Sequence, residues 1–287
     1  MFGSLGQGDA LQDSATFLQV ALPSDVRGIV RVSAGWGHSA AITDDARLLV
    51  FGRPYDFSNL LQINRLTSIS PQLGRFVGRF TNFFGVDDSR DSRGTEVAGV
   101  FTTPTLYDID DVSAVVCTAG LTATLSLEGV VHCFGLNRWG QCGHSTNNKV
   151  GAMHVYSPQR VLIPAGERVR SLDAGLQHCL VALHTGQVLA WGKGNRGQLG
   201  DGNIDTSGVP VKVKLPAAAV AVSAGFNHSA ALTDDGRVFV WGKGMSSTPK
   251  EGQRTSAAGL MQVYLDQPTP RLLSLPGGRR AAEICSR

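Results

Sequence analysis

Along the chain, short stretches mixing small, polar and apolar side chains are cut at recurring places by glycine. Between Val30 and Gly52 the sequence VRVSAGWGHSAAITDDARLLVFG runs through an apolar stretch, a glycine at 35, a second stretch of small and apolar residues, a two-aspartate turn, and an apolar stretch closed by Phe51-Gly52. Alternation on both sides of a tight turn predicts a β-hairpin. The phrase returns at Val115–Gly135, Arg170–Gly192 and Val220–Gly242, so that Gly35, Gly120, Gly175 and Gly225 align with spacings of 85, 55 and 50 residues. Recurrence on this scale predicts stacked or radially arranged units. The fourth copy turns at Asp235-Gly236, where glycine accepts a positive φ without a clash. The first copy has Ala46 there, which predicts a different turn or about 1–2 kcal/mol of left-handed strain.

Small residues after the repeat glycine (Ser39, Ala40, Ala41; Ser229, Ala230, Ala231) suit strands crowded around one axis, and so predict a β-propeller whose inner strands they form. A second glycine phrase follows the aromatic-glycine stop: GQCG at 140–143, GQLG at 197–200, and a clipped GSLGQG at 3–8. The combination, with Trp191-Gly192 and Trp241-Gly242 closing two units, resembles the regulator of chromosome condensation (RCC1) repeat family. That resemblance implies an all-β, four-stranded-blade propeller that usually closes with seven blades. Here four units are complete and Glu283–Arg287 resembles the first strand of a fifth, so the expectation is an incomplete ring of four to five blades, from a truncated product or an open ring.

Two tracts stand outside the repeat. Residues 53–111 read as an insertion with a helix near 70–85: Ser70-Pro71 is a helix start, and Leu73, Phe76, Val77, Phe80 and Phe84 fall at helical spacing, with Gly74 and Gly78 weakening it. Two readings follow. The helix covers its phenylalanines against the propeller rim, or it is a basic amphipathic arm in which Arg75, Phe76, Arg79, Phe80 and Phe84 bind a partner or a membrane surface. Residues 244–269, rich in glycine, serine and threonine, read as an exposed loop.

Candidate chemistry is sparse. His38, His178 and His228 each lie three residues after a repeat glycine, with Ala123 taken as the second copy's equivalent; residues recurring once per unit hold units together rather than catalyse. His132-Cys133 and Cys142-x-His144 have metal-ligand spacing, yet Cys133 aligns with Ala190 and Val240, and Cys142 with Leu199, as apolar filler. Gly192, Gly194 and Gly197 satisfy G-x-G-x-x-G without the helix that would hold a pyrophosphate. No metal, cofactor or small-molecule substrate is expected.

A net charge of +3 and a non-basic N-terminus argue against nucleic acid, while 20 arginines among 26 basic residues suit acidic protein surfaces. The function expected is therefore a non-catalytic, regulatory or scaffolding protein-interaction propeller. The alternative implied by the resemblance is guanine-nucleotide exchange on a small GTPase. Five cysteines without a C-x-x-C pair predict reduced thiols. No apolar run nears ~18 residues and no leader is visible, which predicts an intracellular protein, cytoplasmic or nuclear. Gly140–Gly143 followed by Tyr156-Ser157 also resembles a mitochondrial branch of the family.

Overall fold

The computed structural model describes residues 18–52, 101–145, 154–243, 266–275 and 280–285. Its strands form four antiparallel four-stranded sheets, each a meander in chain order. Sheet one comprises β1 (Ile29–Ala34), β2 (His38–Thr43), β3 (Leu48–Gly52) and β4 (Phe101–Tyr107). Sheet two comprises β5 (Val112–Cys117), β6 (Leu121–Ser126), β7 (Val131–Leu136) and β8 (His154–Arg160). Sheet three holds β9 (Val169–Ala174), β10 (His178–Leu183), β11 (Val188–Gly192) and β12 (Ser207–Lys212). Sheet four holds β13 (Ala219–Ala224), β14 (His228–Thr233), β15 (Val238–Gly242) and β16 (Gln267–Leu272). This is a propeller arc. Each first strand packs on the next, and their ends line a hub cavity of about 380 Å³ together with Glu283, Ile284 and Cys285.

The hub strands are thus β1, β5, β9 and β13, preceding the repeat glycine. The small residues that the sequence assigns to the axis lie one strand further out, on β2 and β14. In sheet three every residue of β10 and β11 is buried, because neighbouring sheets cover both faces. This double cover is why HCLVAL and VLAWG lack clean alternation. Sheet one differs: Val32 is 78% exposed, whereas Leu172 and Val222, at the equivalent register against Val181 and Ala231, are buried by the preceding sheet.

Repeat boundaries shift in three places. The insertion is narrower than 53–111, since β4 pairs with β3 through Leu106 and Thr105. β16 takes in residues 267–269 of the expected loop. The proposed helix at 70–85, with Arg75, Phe76, Arg79, Phe80 and Phe84, lies outside the described residues, as do 244–265; no helix occurs among the described residues. In the second copy the register differs by two. The backbone N–H that bonds three residues ahead is Gly35 to His38, Gly175 to His178 and Gly225 to His228, but Thr118 to Leu121. Thr118 therefore fills the repeat-glycine place, and Leu121, not Ala123, the histidine place. Gly120 corresponds to Gln177: both carbonyls accept an amide from the residue after the aromatic-glycine stop, Leu136 and Lys193.

Every hairpin turn places a residue at positive φ: Gly129, Gly186, Gly236, and Ala46 at 64°. Ala46 keeps the family turn and accepts the strain. The carbonyls of Ala46, Gly129 and Gly186 also accept the first amide of the next sheet, Val112, Val169 and Ala219 in turn, and the Gly236 carbonyl accepts the Ala281 amide. Residues from Ala281 therefore start along the path that the earlier copies use for a hub strand. Asp111, next to the Val112 that bonds Ala46, is the other non-glycine at positive φ among the described residues.

Candidate interaction face

Three kinds of directional contact join successive sheets, and among the described residues all three occur together between sheets three and four. First, the His38 Nε2 meets the Thr122 hydroxyl of the next sheet at 3.0 Å, and His178 Nε2 meets Ser229 Oγ at 2.9 Å. Between sheets two and three the same pair of places is filled by Leu121 and Cys179, so an apolar side chain faces a thiol where the other seams have imidazole and hydroxyl. Burial lowers the affinity of both imidazoles for a proton, His38 to about 4 and His178 to about 3. His228, half-buried, is lowered in the same direction and for the same reason.

Second, Ser33 Oγ accepts the Cys117 amide at 2.9 Å, and Asp173 Oδ2 accepts the equivalent Ala224 amide at 2.8 Å. Val116 offers no such acceptor to sheet three, and there Asp173 Oδ1 accepts its own neighbour's amide, Ala174, at 2.9 Å.

Third, the GQCG and GQLG turns clasp the following blade. The Gln141 carbonyl accepts the Trp191 indole N–H at 2.8 Å, and the Gln198 carbonyl accepts that of Trp241 at 2.9 Å. Glycine is required here twice over: Gly143 has φ 67°, and a Cβ on it would stand 2.7 Å from Trp191 Nε1.

These turns and the repeat-glycine loops share one end of the sheets, because Lys193 and Lys243 donate to the carbonyls of Gln177 and Asn227 at 2.9 and 2.8 Å. The β3–β4 and β15–β16 connections leave and return at this end too. Toward the hub it presents Trp36 and Phe226, 52% and 45% exposed. Further out, the 137–143 loop holds Trp139 between cations. Arg138 Cζ lies 5.5 Å and Lys193 Nζ 4.7 Å from its ring centroid. The Lys193 side chain is buried, its Nζ donating to Gln177 Oε1 at 2.7 Å. Burial first, then Arg196 and Arg138, lower its affinity for a proton.

The opposite, hairpin-turn end has its charges paired internally. Arg47 contacts Asp25 and Asp45 at 2.7 and 2.8 Å, and Arg237 contacts Asp235 at 2.7 Å. The Arg47 bond holds Asp25 below the usual carboxylate range, and the Thr233 hydroxyl, followed by Arg237, does the same for Asp235.

The sequence picks out Gly35, Gly175, Gly225, the three histidines and Trp191-Gly192 and Trp241-Gly242, and the structure brings them together along the seams. The sequence reading omits Trp139, Arg138, Lys193, Trp36 and Phe226 from the candidate partner-binding residues, although Trp139 stands where the other glycine-turn phrase has Arg196, which is a readable signal. Among the described residues no group of His, Cys, Asp or Glu has metal-binding geometry. Cys133, Cys142 and Cys179 are buried, and burial pushes the Cys142 and Cys179 thiols well above their usual range.

Two profiles described as "Regulator of chromosome condensation (RCC1) repeat" match the chain, one at residues 128–182 and 185–232, the other at 29–56 and 219–246. Protein pim1 of Schizosaccharomyces pombe is 27% identical over 201 residues, which take in 69% of this chain and 30% of pim1. Among solved structures, human WBSCR16 superposes with a TM-score of 0.65 at 20% identity, covering 94% of this chain and 59% of that one. Prp20p of Saccharomyces cerevisiae, solved together with its binding properties to Gsp1p and histones, superposes at 0.61 and 22% identity, covering 90% and 53%. The chain thus spans less than a third of pim1 and little more than half of either solved structure. With profile matches in three of the four sheets' hairpins and the fourth built to the same plan, the chain belongs to the regulator of chromosome condensation (RCC1) repeat family.

Proposed function

We propose that the protein is a non-catalytic interaction propeller that receives another protein on the glycine-turn face. The observation that carries this reading is the exposure of Trp36 and Phe226 at the hub end, on backbone fixed by the repeat-glycine hydrogen bonds. Large aromatic side chains on rigid supports lose little conformational entropy when a partner covers them, which makes them strong anchors. The binding of Gsp1p and histones by Prp20p supports protein partners for this fold. Affinity capture with quantitative mass spectrometry tests it by comparing the parent protein with Trp36→Ala/Phe226→Ala and with Arg47→Ala on the opposite end. Partners lost with the first variant and kept with the second support the reading; a partner set indifferent to Trp36 and Phe226 sinks it.

Guanine-nucleotide exchange is the second reading, supported by the family resemblance and the likeness to Prp20p. Mixing the protein with small GTPases carrying fluorescent GDP decides it. Accelerated release would make the face an exchange surface, and unchanged release across a broad panel would retire that reading.

A further inference from the structure

We propose that the loop surface between the second and third sheets, where Arg138 and Lys193 flank the Trp139 ring, takes an acidic segment of a partner protein, with a carboxylate received by the Arg138 guanidinium. This rests on the interaction-face reading and specifies the partner's chemistry. Arg138 is partly buried and lies against the Trp139 ring, and among the described residues no carboxylate pairs with it. Its planar fork is built for bidentate contact with a carboxylate.

Trp139 presents a preformed platform. Its own amide donates to Gln141 Oε1 at 2.8 Å, Asn137 Oδ1 accepts the Cys142 amide at 2.9 Å, and two successive tight turns end at Gly140 and Gly143. Its indole N–H is buried and has no hydrogen-bond partner among the described residues.

The charge balance points the same way. Arg138 and Arg196 both lie close enough to Lys193 to oppose its charge, and Arg196 pairs with Asp266 at 3.2 Å. Arg138 and Lys193 both stand against the Trp139 ring, and bringing like charges together there is unfavourable until negative charge arrives. The hairpin-turn end, by contrast, neutralises Arg47 and Arg237 within the chain.

The probe is a short fluorescent oligoglutamate peptide, followed by anisotropy against the full chain. Oligolysine and vesicles rich in phosphatidylserine serve as comparisons. Arg138→Glu should weaken oligoglutamate binding about tenfold or more, and Arg138→Gln less, as expected for loss of a charge-assisted contact. Arg47→Glu, with the same charge change at the other end, should leave it unaltered. Raising salt from about 0.1 M to about 1 M cuts the screening length from roughly 10 to roughly 3 Å and should weaken binding further.

No binding of oligoglutamate at the lower salt overturns the proposal. So does equal weakening by Arg47→Glu, which would mean attraction by net charge alone, or Arg138-dependent binding of vesicles without peptide binding, which would mean a membrane surface. Unchanged melting of Arg138→Gln shows that weakening is not unfolding. Failure here with Trp36- and Phe226-dependent partners intact removes only the acidic-segment inference; loss of those partners removes the face itself.

Discussion

Replacing His178 with leucine should halve the acid sensitivity contributed by the buried histidine seams. In the folded chain His38 and His178 take up a proton only near pH 4 and pH 3, against 6.5 for an ordinary imidazole. Between those values the unfolded chain holds more protons, so stability is fully present above about pH 6.5 and falls as the pH drops toward the folded values. From pH 7 to pH 5, each imidazole that must stay neutral costs about 2 kcal/mol, and the two together about 4 kcal/mol.

His178→Leu removes one of these contributions. At pH 7 it should destabilise by about 1 kcal/mol through the lost hydrogen bond to Ser229, whose hydroxyl still donates to the Gln198 carbonyl at 2.7 Å. At pH 5 the variant should instead match or exceed the parent. Adding Ser229→Cys rebuilds the leucine-thiol pair that this chain already uses at Leu121 and Cys179, and should recover part of the loss at pH 7. Urea unfolding at pH 7, 6 and 5, followed by far-ultraviolet circular dichroism, gives all three quantities. If the parent and His178→Leu lose the same stability on acidification, buried neutral histidine is not what makes the seam acid-labile.

Other substitutions probe the turns and the clasps. Ala46→Gly should raise stability by about 1 kcal/mol, since φ is positive there, and thermal unfolding would show the gain; a lowered midpoint would mean that the alanine methyl packs usefully. Trp191→Phe leaves the Gln141 carbonyl without its indole donor and should cost about 1–3 kcal/mol, read from urea midpoints, and an unchanged midpoint would remove the clasp from the stability argument. In a thiol-reagent titration of the native protein one cysteine, Cys285, should react fast and the other four only on unfolding. Cys117 is pushed up to about 12 by burial, so early reaction at Cys117 would contradict the packing of the first seam.

The architecture was legible because its physics is local and repeated. A positive-φ turn, an indole that needs an acceptor and a glycine beneath it each favour one residue type, and the turn glycine in three copies with the clasped indole in two makes the pattern visible. The register of the second unit was not legible, since its Ala-Gly doublet at 119–120 imitates the doublet at 34–35 while the backbone puts Thr118 in the glycine's place. Nor was the identity of the hub strand. Small residues were assigned to the axis on steric grounds, but crowding is as severe between β2 and β5, where adjacent sheets pack, as at the hub. Trp139 and Lys193 escaped notice because they are 54 residues apart in the chain and meet only when the second sheet's loop lies across the third.

That meeting determines where recognition and stability can be separated. The 137–143 loop belongs to the second sheet, yet through Gln141 it holds the third sheet's Trp191, and through Gly140 it lies against the β12 backbone at Gly208. A substitution at Asn137, Gly140, Gln141 or Gly143 therefore disturbs the seam and the surface at once, and a loss of binding there says nothing about contact with a partner. Arg138 is different. Its backbone lies in the loop, but its guanidinium donates no hydrogen bond among the described residues and rests on one ring. Any selective advantage in keeping arginine at that place comes from what the side chain meets outside the chain, or from stacking on Trp139 that lysine or glutamine would largely lose. Arg138→Lys separates the two: it retains the charge and gives up the planar stack, so oligoglutamate affinity that survives it reports charge, and affinity that falls with it reports the bidentate fork.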